Sequence, residues 1–444
     1  MTPDETHSPE LRSWVEEANE PGCDFPVQNL PLGVGRLGSG EPPLLLVAIG
    51  SWALNLERAV QAGLLDALES EVLDACLSVP ANALMALRRV QWKRLRLELS
   101  RLLRSDGKLS EAARLRRDEL LVPLAEVEML LPAEVGDYTD FYASLHHAQN
   151  VGKMFRPEQP LLPNYKWVPI AYHGRVSTLL VSGMAVQRPW GQVHYGSGSP
   201  SFRPSERLDY EAEVGFYIGT GNMLGEPLSP ADAEDCIFGV SLLNDWSARD
   251  IQVWEYQPLG PFLSKNFATS LSPWVVTWEA LTPFRVPISA RAPGDPEPLP
   301  YLALNGELGR VAAVAVTVEV FLRTEKMRAS GMQPLRVSSG TLADLYWSPL
   351  QLIAHHSSNG CLLRPGDLLG SGTISGAERG SEGCLLELTR RGEEPLRLPT
   401  GEERTFLEDG DEVIMRASCR RPGFVPIGIG ECTGVISPAR AMVE

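Results

Sequence analysis

Two glutamates separated by a single residue lie in the run 208–219, LDYEAEVGFYIG. With a period of two, Tyr210, Ala212, Val214, Phe216 and Ile218 share one face, and Glu211, Glu213, Gly215 and Tyr217 the other. That is the alternation of a strand with one face on a core. Carboxylates at i and i+2 then point the same way, repel each other and need a cation. Oxygen-only ligands favour a hard divalent ion, Ca2+ or Mg2+. A solvated outer strand face is the ordinary account of the same pattern, so the pair has to be read with the other polar groups of the chain.

Four further segments are dense in polar groups. In 136–156, GDYTDFYASLHHAQNVGKMFR, the pattern predicts a helix beginning at Thr139 or Asp140 as the cap. His147, seven residues beyond Asp140, then lies about two turns on along one face. A carboxylate near a metal with an imidazole beside it can activate water; a capping Asp and a surface His are the plain alternative, and His146 competes with His147. In 239–256, GVSLLNDWSARDIQVWEY, an apolar strand ends at Asn244-Asp245. Ser247 and Asp250 have the spacing of a capping box, with Asp in place of the commoner Glu. Arg249, Gln252 and Tyr256 share one face of the helix that follows. A cation, an amide and a phenol beside a strand-end Asp suit an anionic, oxygen-rich ligand; a partly buried polar helix face fits equally well. In 259–273 a lone Lys265 stands between apolar residues, either snorkelling or held at a site. In 364–376, RPGDLLGSGTISG, a Gly-rich run surrounds Thr373 without the Lys-Ser/Thr ending of a phosphate loop. His355 and His356 close a helix-like stretch and read as compensation of its C-terminal charge.

The elements that must position these groups fall into two textures. Residues 1–22 form an acidic N-terminal tail, predicted to be poorly ordered except where Leu11, Trp14 and Val15 form a docking turn. Residues 23–131 carry a strand at 44–50 and helical spacing over 57–117; the stretch 84–104 alternates leucines with seven basic residues, predicting a solvated helix face paired with carboxylates. A G-x-G-x-x-G at Gly33, Gly35 and Gly38 runs into prolines rather than a helix, so it reads as loop and turn and not as a dinucleotide site. From 132 to 444, strand-like runs at 178–183, 208–219, 236–243, 274–276, 312–322, 384–388 and 412–415 alternate with Gly/Pro/Ser turns, and 195–206 and 289–300 read as surface loops. The 444-residue chain is long enough for a large core in more than one domain. A formal charge of −16 argues against nucleic acid or an anionic membrane as partner. No apolar run approaches the ~20 residues of a membrane helix, and the N-terminus is not a secretory signal. Seven cysteines without a C-x-x-C predict free thiols in a reducing compartment. There is no G-x-S-x-G nucleophile elbow.

The longest runs carry a more specific signal. The run 136–156, YHGR at 172–175, LDYEAEVGFYIG, NDWSARDIQVWEYQPLGPFLSKNFATSLSPWVV, HHSSNGCLLRPGDLLGSGTISG and DGDEVIM, in this order, resemble the fumarylacetoacetase family, as does DFPVQNLPLGV near the start. The resemblance implies a mainly β fold with some α: an SH3-like N-terminal barrel domain and a larger C-terminal mixed β-roll domain, assembled as a cytoplasmic homodimer. It implies hydrolysis of the C–C bond of a small β-diketone, 4-fumarylacetoacetate, to fumarate and acetoacetate, the last step of tyrosine and phenylalanine degradation. It implies Asp140, Glu211, Glu213 and Asp245 as ligands of Ca2+ or Mg2+, with Lys265 and Thr269 at a second cation. His147, not His146, corresponds to the water-activating base and Glu387 to the carboxylate that orients it. Arg249, Gln252 and Lys265 correspond to the groups that stabilise an oxyanion, and Tyr142, Arg156, Tyr172, Gln252, Tyr256 and Thr373 to substrate contacts. The chain departs from the family pattern at Ala268, where a Gly is expected, in the residues before His147 and in its longer tail. Two other readings share these residues: an acylpyruvate hydrolase, decarboxylase or isomerase on the same scaffold, and a non-catalytic binding relative. The second should have lost a metal carboxylate or the base, and none is missing.

Overall fold

The computed structural model describes residues 2–196 and 198–441. The strand Ala212–Ile218 lies inside a 13-stranded mixed sheet, between Ile237–Asp245 and Leu368–Gly370. Both pairings are antiparallel, with Glu213 opposite Leu243 and Gly215 opposite Gly370. Beyond Leu368–Gly370 come Tyr138–Phe141, in parallel, and then Ala171–His173. Beyond Ile237–Asp245 come Trp274–Thr277, Leu32–Arg36, Leu44–Ile49, Trp52–Asn55 and Leu121–Pro123. Thr269–Leu271 joins Ile237–Asp245 to Leu179–Val181.

The solvated outer face expected for the central strand is not there, because both of its faces are covered. Val214, Phe216 and Ile218 pack into one core with a second sheet of five strands, Leu335–Thr341, Val316–Arg323, Glu412–Cys419, Ile427–Ser437 and Val186–Gln187. Tyr217, with Leu243 and Val275, packs into another core with the N-terminal helices. Each fully buried Val, Ile or Phe contributes roughly 1.5–3 kcal/mol, which holds the strand in place. Charged side chains on a strand covered on both sides need partners of their own, and this turns Glu211 and Glu213 from surface residues into site residues.

The N-terminal strands do not close into the expected SH3-like barrel. Closure needs the first and last strands to pair with each other. Here Leu32 and Gly33 pair instead with Val275 and Trp274, so the N-terminal strands continue the central sheet and run out at Leu121–Pro123. The glycines of the G-x-G-x-x-G run serve that junction. Leu32–Arg36 is a strand, not a loop, and a Cβ on Gly33 or Gly35 would run into Trp274 or Val127.

Residues 2–22 are docked rather than loose. Ser13 Oγ and Trp14 Nε1 donate to the carbonyls of Leu103 and Leu102, at 2.6 and 2.9 Å, and Val15 is buried. The helix Arg89–Leu103 receives this arm, and the solvated, carboxylate-paired basic face expected of it is met at Arg89 and Arg101 but not at Arg96. Arg89 binds Glu279 at 2.9 Å and also Asp235. Buried Arg96 donates to Thr6 Oγ1 and to the carbonyls of Asn29 and Gln28.

Three local expectations are overturned. The segment 384–388 is a single helical turn, Leu385–Leu388, rather than a strand. The loop 195–206 contains the strand Ser201–Pro204, which pairs with Trp190–Val193. The box between Ser247 and Asp250 does not form: Asp250 accepts from Ser205 Oγ and Glu206 N, while Ser247 Oγ donates to the Asp245 carbonyl. Among the described residues no helix is long and apolar enough to cross a membrane.

Candidate active site and metal centre

Four carboxylates meet at one end of the central sheet. Glu213 points from Ala212–Ile218, Asp245 ends the neighbouring Ile237–Asp245, and Glu211 stands just before the first of these strands. Asp140 comes from the other side. It does not cap a helix but lies in the strand Tyr138–Phe141, beside Gly370 in parallel register. A side chain at Gly370 would collide with the carboxylates of Asp140 and Glu213, so the glycine makes the room they occupy. Oxygens of Asp140, Glu211, Glu213 and Asp245 all lie within 4.8 Å of one another, and all four residues are buried.

Two cations face these four charges. Lys265 Nζ lies 2.7 Å from Glu211 and 2.6 Å from Asp245, and Arg249 Nη1 lies 2.6 Å from Glu211. The consequence is uneven. Burial raises the Glu211 pKa, but Lys265 and Arg249 more than offset it and hold Glu211 below the usual range. Burial, reinforced by the surrounding carboxylates, pushes Asp140 and Glu213 well above it. Asp140 Oδ1 and Glu213 Oε1 are buried and accept no hydrogen bond. A buried unpaired acceptor is costly, and two carboxylates lacking counter-charge leave room for two positive charges. The donor set is oxygen only and therefore fits a hard divalent cation. Lys265 and Thr269 both stand against Asp245, Lys265 as an ion pair and Thr269 through Oγ1 at 3.3 Å. An ammonium offers donors and no lone pair, so Lys265 enters this cluster as a charge.

A dyad lies beside the carboxylates. The helix Leu145–Phe155 starts at Ser144, whose Oγ accepts from His147 N at 3.3 Å. This places His147 in the first turn, with Nδ1 2.6 Å from Glu387 Oε2. Glu387 also accepts from Asn150 Nδ2 at 2.9 Å, Ser375 Oγ at 2.9 Å and Cys384 Sγ at 3.2 Å. Burial pushes the Glu387 pKa up, yet the adjacent His147, with Asn150 and Cys384, brings it below the usual value. An ionised Glu387 accepts Nδ1–H and leaves the other ring nitrogen, Nε2, as the acceptor. His146, on the next position of the helix, has no part in this pair.

The remaining predicted residues surround a cavity of about 540 Å³. Asp140, Glu211, Lys265 and His147 line it, together with Arg249, Gln252 and Tyr256 from one face of the helix Arg249–Glu255 and its cap. Tyr142, Arg156, Tyr172 and Thr373 complete the polar lining, and Val151, Phe155 and Leu161 are apolar. The ring of Tyr142 stands edge-on to His147, and Tyr172 OH donates to Asp245 at 2.6 Å. Arg249 Nη2, Arg156 Nε and Thr373 Oγ1 are buried polar atoms without a protein partner. Glu213, Asp245, Thr269 and Glu387 stand behind this wall. The arrangement can bind an oxygen-rich small molecule, take a proton from water at His147 and stabilise negative charge with Arg249.

Sequence reasoning missed Asp209, Asn150, Ser375 and Cys384. Two of them left a trace. Asp209 precedes Glu211 and Glu213 at the same period of two, and Asn150 is three residues after His147 on one helix.

Comparison with known proteins gives the following. The family profile described as "Fumarylacetoacetase N-terminal" matches residues 28–132, and that described as "Fumarylacetoacetate (FAA) hydrolase C-terminal" matches residues 137–437. A fumarylacetoacetase from Arabidopsis thaliana is 44% identical over 97% of this chain and 99% of its own length. One from Caenorhabditis elegans is 46% identical over 94% of this chain and 97% of its own. The solved structure of an HpcE protein from Mycobacterium smegmatis has a TM-score of 0.50 at 18% identity, covering 92% of this chain and 99% of that one, a likeness of fold.

Proposed function

The chain belongs to the fumarylacetoacetase family, and from that premise we propose that it hydrolyses 4-fumarylacetoacetate to fumarate and acetoacetate, the last step of tyrosine and phenylalanine degradation. The observation that carries the proposal is the 2.6 Å pair between His147 Nδ1 and Glu387 at the edge of a cavity walled by the carboxylate cluster. Glu387 holds the imidazole in the tautomer whose Nε2 can accept a proton from water. The water oxygen bonds to the ketone carbon next to the fumaryl double bond, and the carbonyl oxygen becomes an alkoxide. Arg249 Nη2, a buried donor with no other partner, stabilises that oxygen together with Gln252. The bond to the central methylene then breaks. Its electron pair leaves with the acetoacetate fragment as an enolate, and the proton held by His147 returns to carbon. Asp140, Glu211, Glu213 and Asp245 would hold a divalent ion, which supplies electron withdrawal at the diketone oxygens when bound. Arg156 and Tyr256 line the outer cavity and suit the terminal carboxylates of the substrate.

The oxygen-only ligand set supports Ca2+ or Mg2+. Thr269 Oγ1, against Asp245, offers an oxygen for a second cation at that edge of the cluster, while the side chain of Lys265 there supplies charge and no ligand atom. The two family profiles meet between residues 132 and 137, which supports a boundary between an N-terminal and a catalytic unit near residue 131. Seven free cysteines support a reducing, cytoplasmic setting. Exposed Leu259 and Phe262, next to the cavity mouth, support a face covered in a homodimer.

The test is loss of the diketone absorbance of fumarylacetoacetate with purified protein, run with Mg2+ or Ca2+, with chelator, and with a simple acylpyruvate in parallel. Metal-dependent loss of fumarylacetoacetate is expected. Turnover of the acylpyruvate alone would make the chain an acylpyruvate hydrolase, and turnover of neither by folded, metal-loaded protein would make it a binding relative.

A further inference from the structure

The two arms of the proposed chemistry, the His147–Glu387 dyad and Arg249, come from segments far apart in the chain, and one unassigned side chain touches the supports of both. Asp209 is fully buried in the two-residue strand Leu208–Asp209, which pairs with Ser247–Ala248 so that Asp209 lies opposite Ser247. Its Oδ2 accepts from Arg249 Nε at 2.8 Å and from Leu386 N at 3.0 Å. Its Oδ1 accepts from Leu385 N at 2.8 Å and from Tyr210 N at 2.9 Å. We propose that Asp209 is a positioning residue that holds the guanidinium of Arg249 and the backbone turn carrying Glu387 in a fixed mutual arrangement, so that the base and the oxyanion donor act on one substrate carbon.

Each half of this rests on a specific contact. The turn Leu385–Leu388 has no side-chain cap of its own, since Cys384 at the capping position makes no such bond. Its first two N–H groups are orphan donors of the kind every helix start leaves, and both end on Asp209. Glu387 is the next residue along. A shift of this turn moves the carboxylate that fixes His147. On the other side, Arg249 Nε goes to Asp209 and Nη1 to Glu211 and Gln252, at 2.6 and 3.1 Å. Only Nη2 is left for a ligand. Asp209 therefore sets the rotation of the guanidinium plane that presents Nη2. Four donors satisfy both carboxylate oxygens, which is why so buried a charge can be kept. Asp209 lines no part of the cavity, so it acts through the residues it holds.

The inference rests on the proposed hydrolysis, so the wild-type assay comes first; no turnover there overturns that reading whatever Asp209 does. With an active, metal-loaded wild type, Asp209→Asn turns one acceptor oxygen into an amide donor facing N–H groups. It should lower kcat by about 10²-fold, the order of loss for ångström-scale misplacement, with KM changed less than threefold. The effect should be less than additive with Glu387→Gln and with Arg249→Gln, because the three act through one geometry. A merely structural role predicts a lower unfolding temperature, unchanged kcat in the folded fraction and additive effects. That result overturns the inference. If Asp209→Asn does not fold, Asp209→Glu keeps the charge and displaces both contacts by one methylene; wild-type kcat and KM in that variant overturn the inference equally, and a kcat loss at unchanged KM supports it.

Discussion

His147→Ala should lower kcat for fumarylacetoacetate by about 10³-fold, within the range that a positioned general base contributes, while KM stays within a few-fold. The expectation follows from where the ring is tied. Nδ1 is committed to Glu387 at 2.6 Å, so the proton chemistry belongs to Nε2, and a proton acceptor for water contributes to the transition state and little to ground-state binding. Glu387→Gln tests the same pair from behind. The carboxamide oxygen in the place of Oε2 can still accept from Nδ1–H, Ser375 and Cys384, but it cannot offset the charge of an imidazolium, and the NH2 in the place of Oε1 then meets Asn150 Nδ2, donor against donor. Its kcat should fall by about 10²-fold or more. Steady-state kinetics on both variants, with unfolding temperatures to show that they are folded, is the check. Full activity in either would remove the dyad from the chemistry.

Glu213→Gln should act in opposite directions on metal affinity and on metal-free stability. The side chain is fully buried, and one of its oxygens accepts nothing. Burial together with Asp140, Asp245 and Glu211 raises its pKa. A carboxyl whose folded pKa lies above its unfolded value favours the fold only below the unfolded value and weakens it at neutral pH, by about 1.4 kcal/mol for each pK unit. Removing the charge relieves that penalty, so the metal-free variant should unfold at a higher temperature than the metal-free wild type. It should also bind Mg2+ or Ca2+ more weakly, by about 10²-fold on the scale of losing a supporting group at a metal site, and lose turnover accordingly. In the wild type, metal at a hundred times its dissociation constant should add about 2.7 kcal/mol of stability, and chelation should stop turnover. Calorimetric titration and thermal unfolding, each with and without metal, separate the two effects. A variant less stable without metal and equal in affinity would remove the carboxylates from metal binding.

The parts of this site visible in the sequence were those set by short-range periodicity. Period two placed Glu211 and Glu213 together, and helical period placed Arg249, Gln252 and Tyr256 on one face, and both arrangements hold in the structure. What pattern alone misjudged was decided by distant contacts. Asp140 looked like a helix cap because Ser144, the actual cap, lies only four residues on; parallel pairing with Gly370 made its segment a strand. The run around Glu387 looked like a strand, but Asp209, remote in sequence, supplies the acceptors that let it turn as a helix. The barrel came from the family resemblance rather than from pattern, and it gives way to the pairing of Leu32 with Val275, a contact across more than half of the chain that no local rule contains. The docking of residues 2–22 likewise depends on carbonyls at the far end of a helix. The resemblance to a family added the roles of Glu387, Tyr142, Arg156 and Thr373, which no local pattern had singled out for those tasks.

The most direct test of the central claim is the fate of the water oxygen. Fumarylacetoacetate turned over by the metal-loaded wild type in water enriched in heavy oxygen, quenched early and analysed by mass spectrometry, should give fumarate carrying one heavy oxygen in a carboxylate and acetoacetate carrying none. That is the outcome of water activated at His147 attacking the ketone beside the fumaryl double bond. Label in acetoacetate and none in fumarate, or no cleavage by folded and metal-loaded protein, would contradict it.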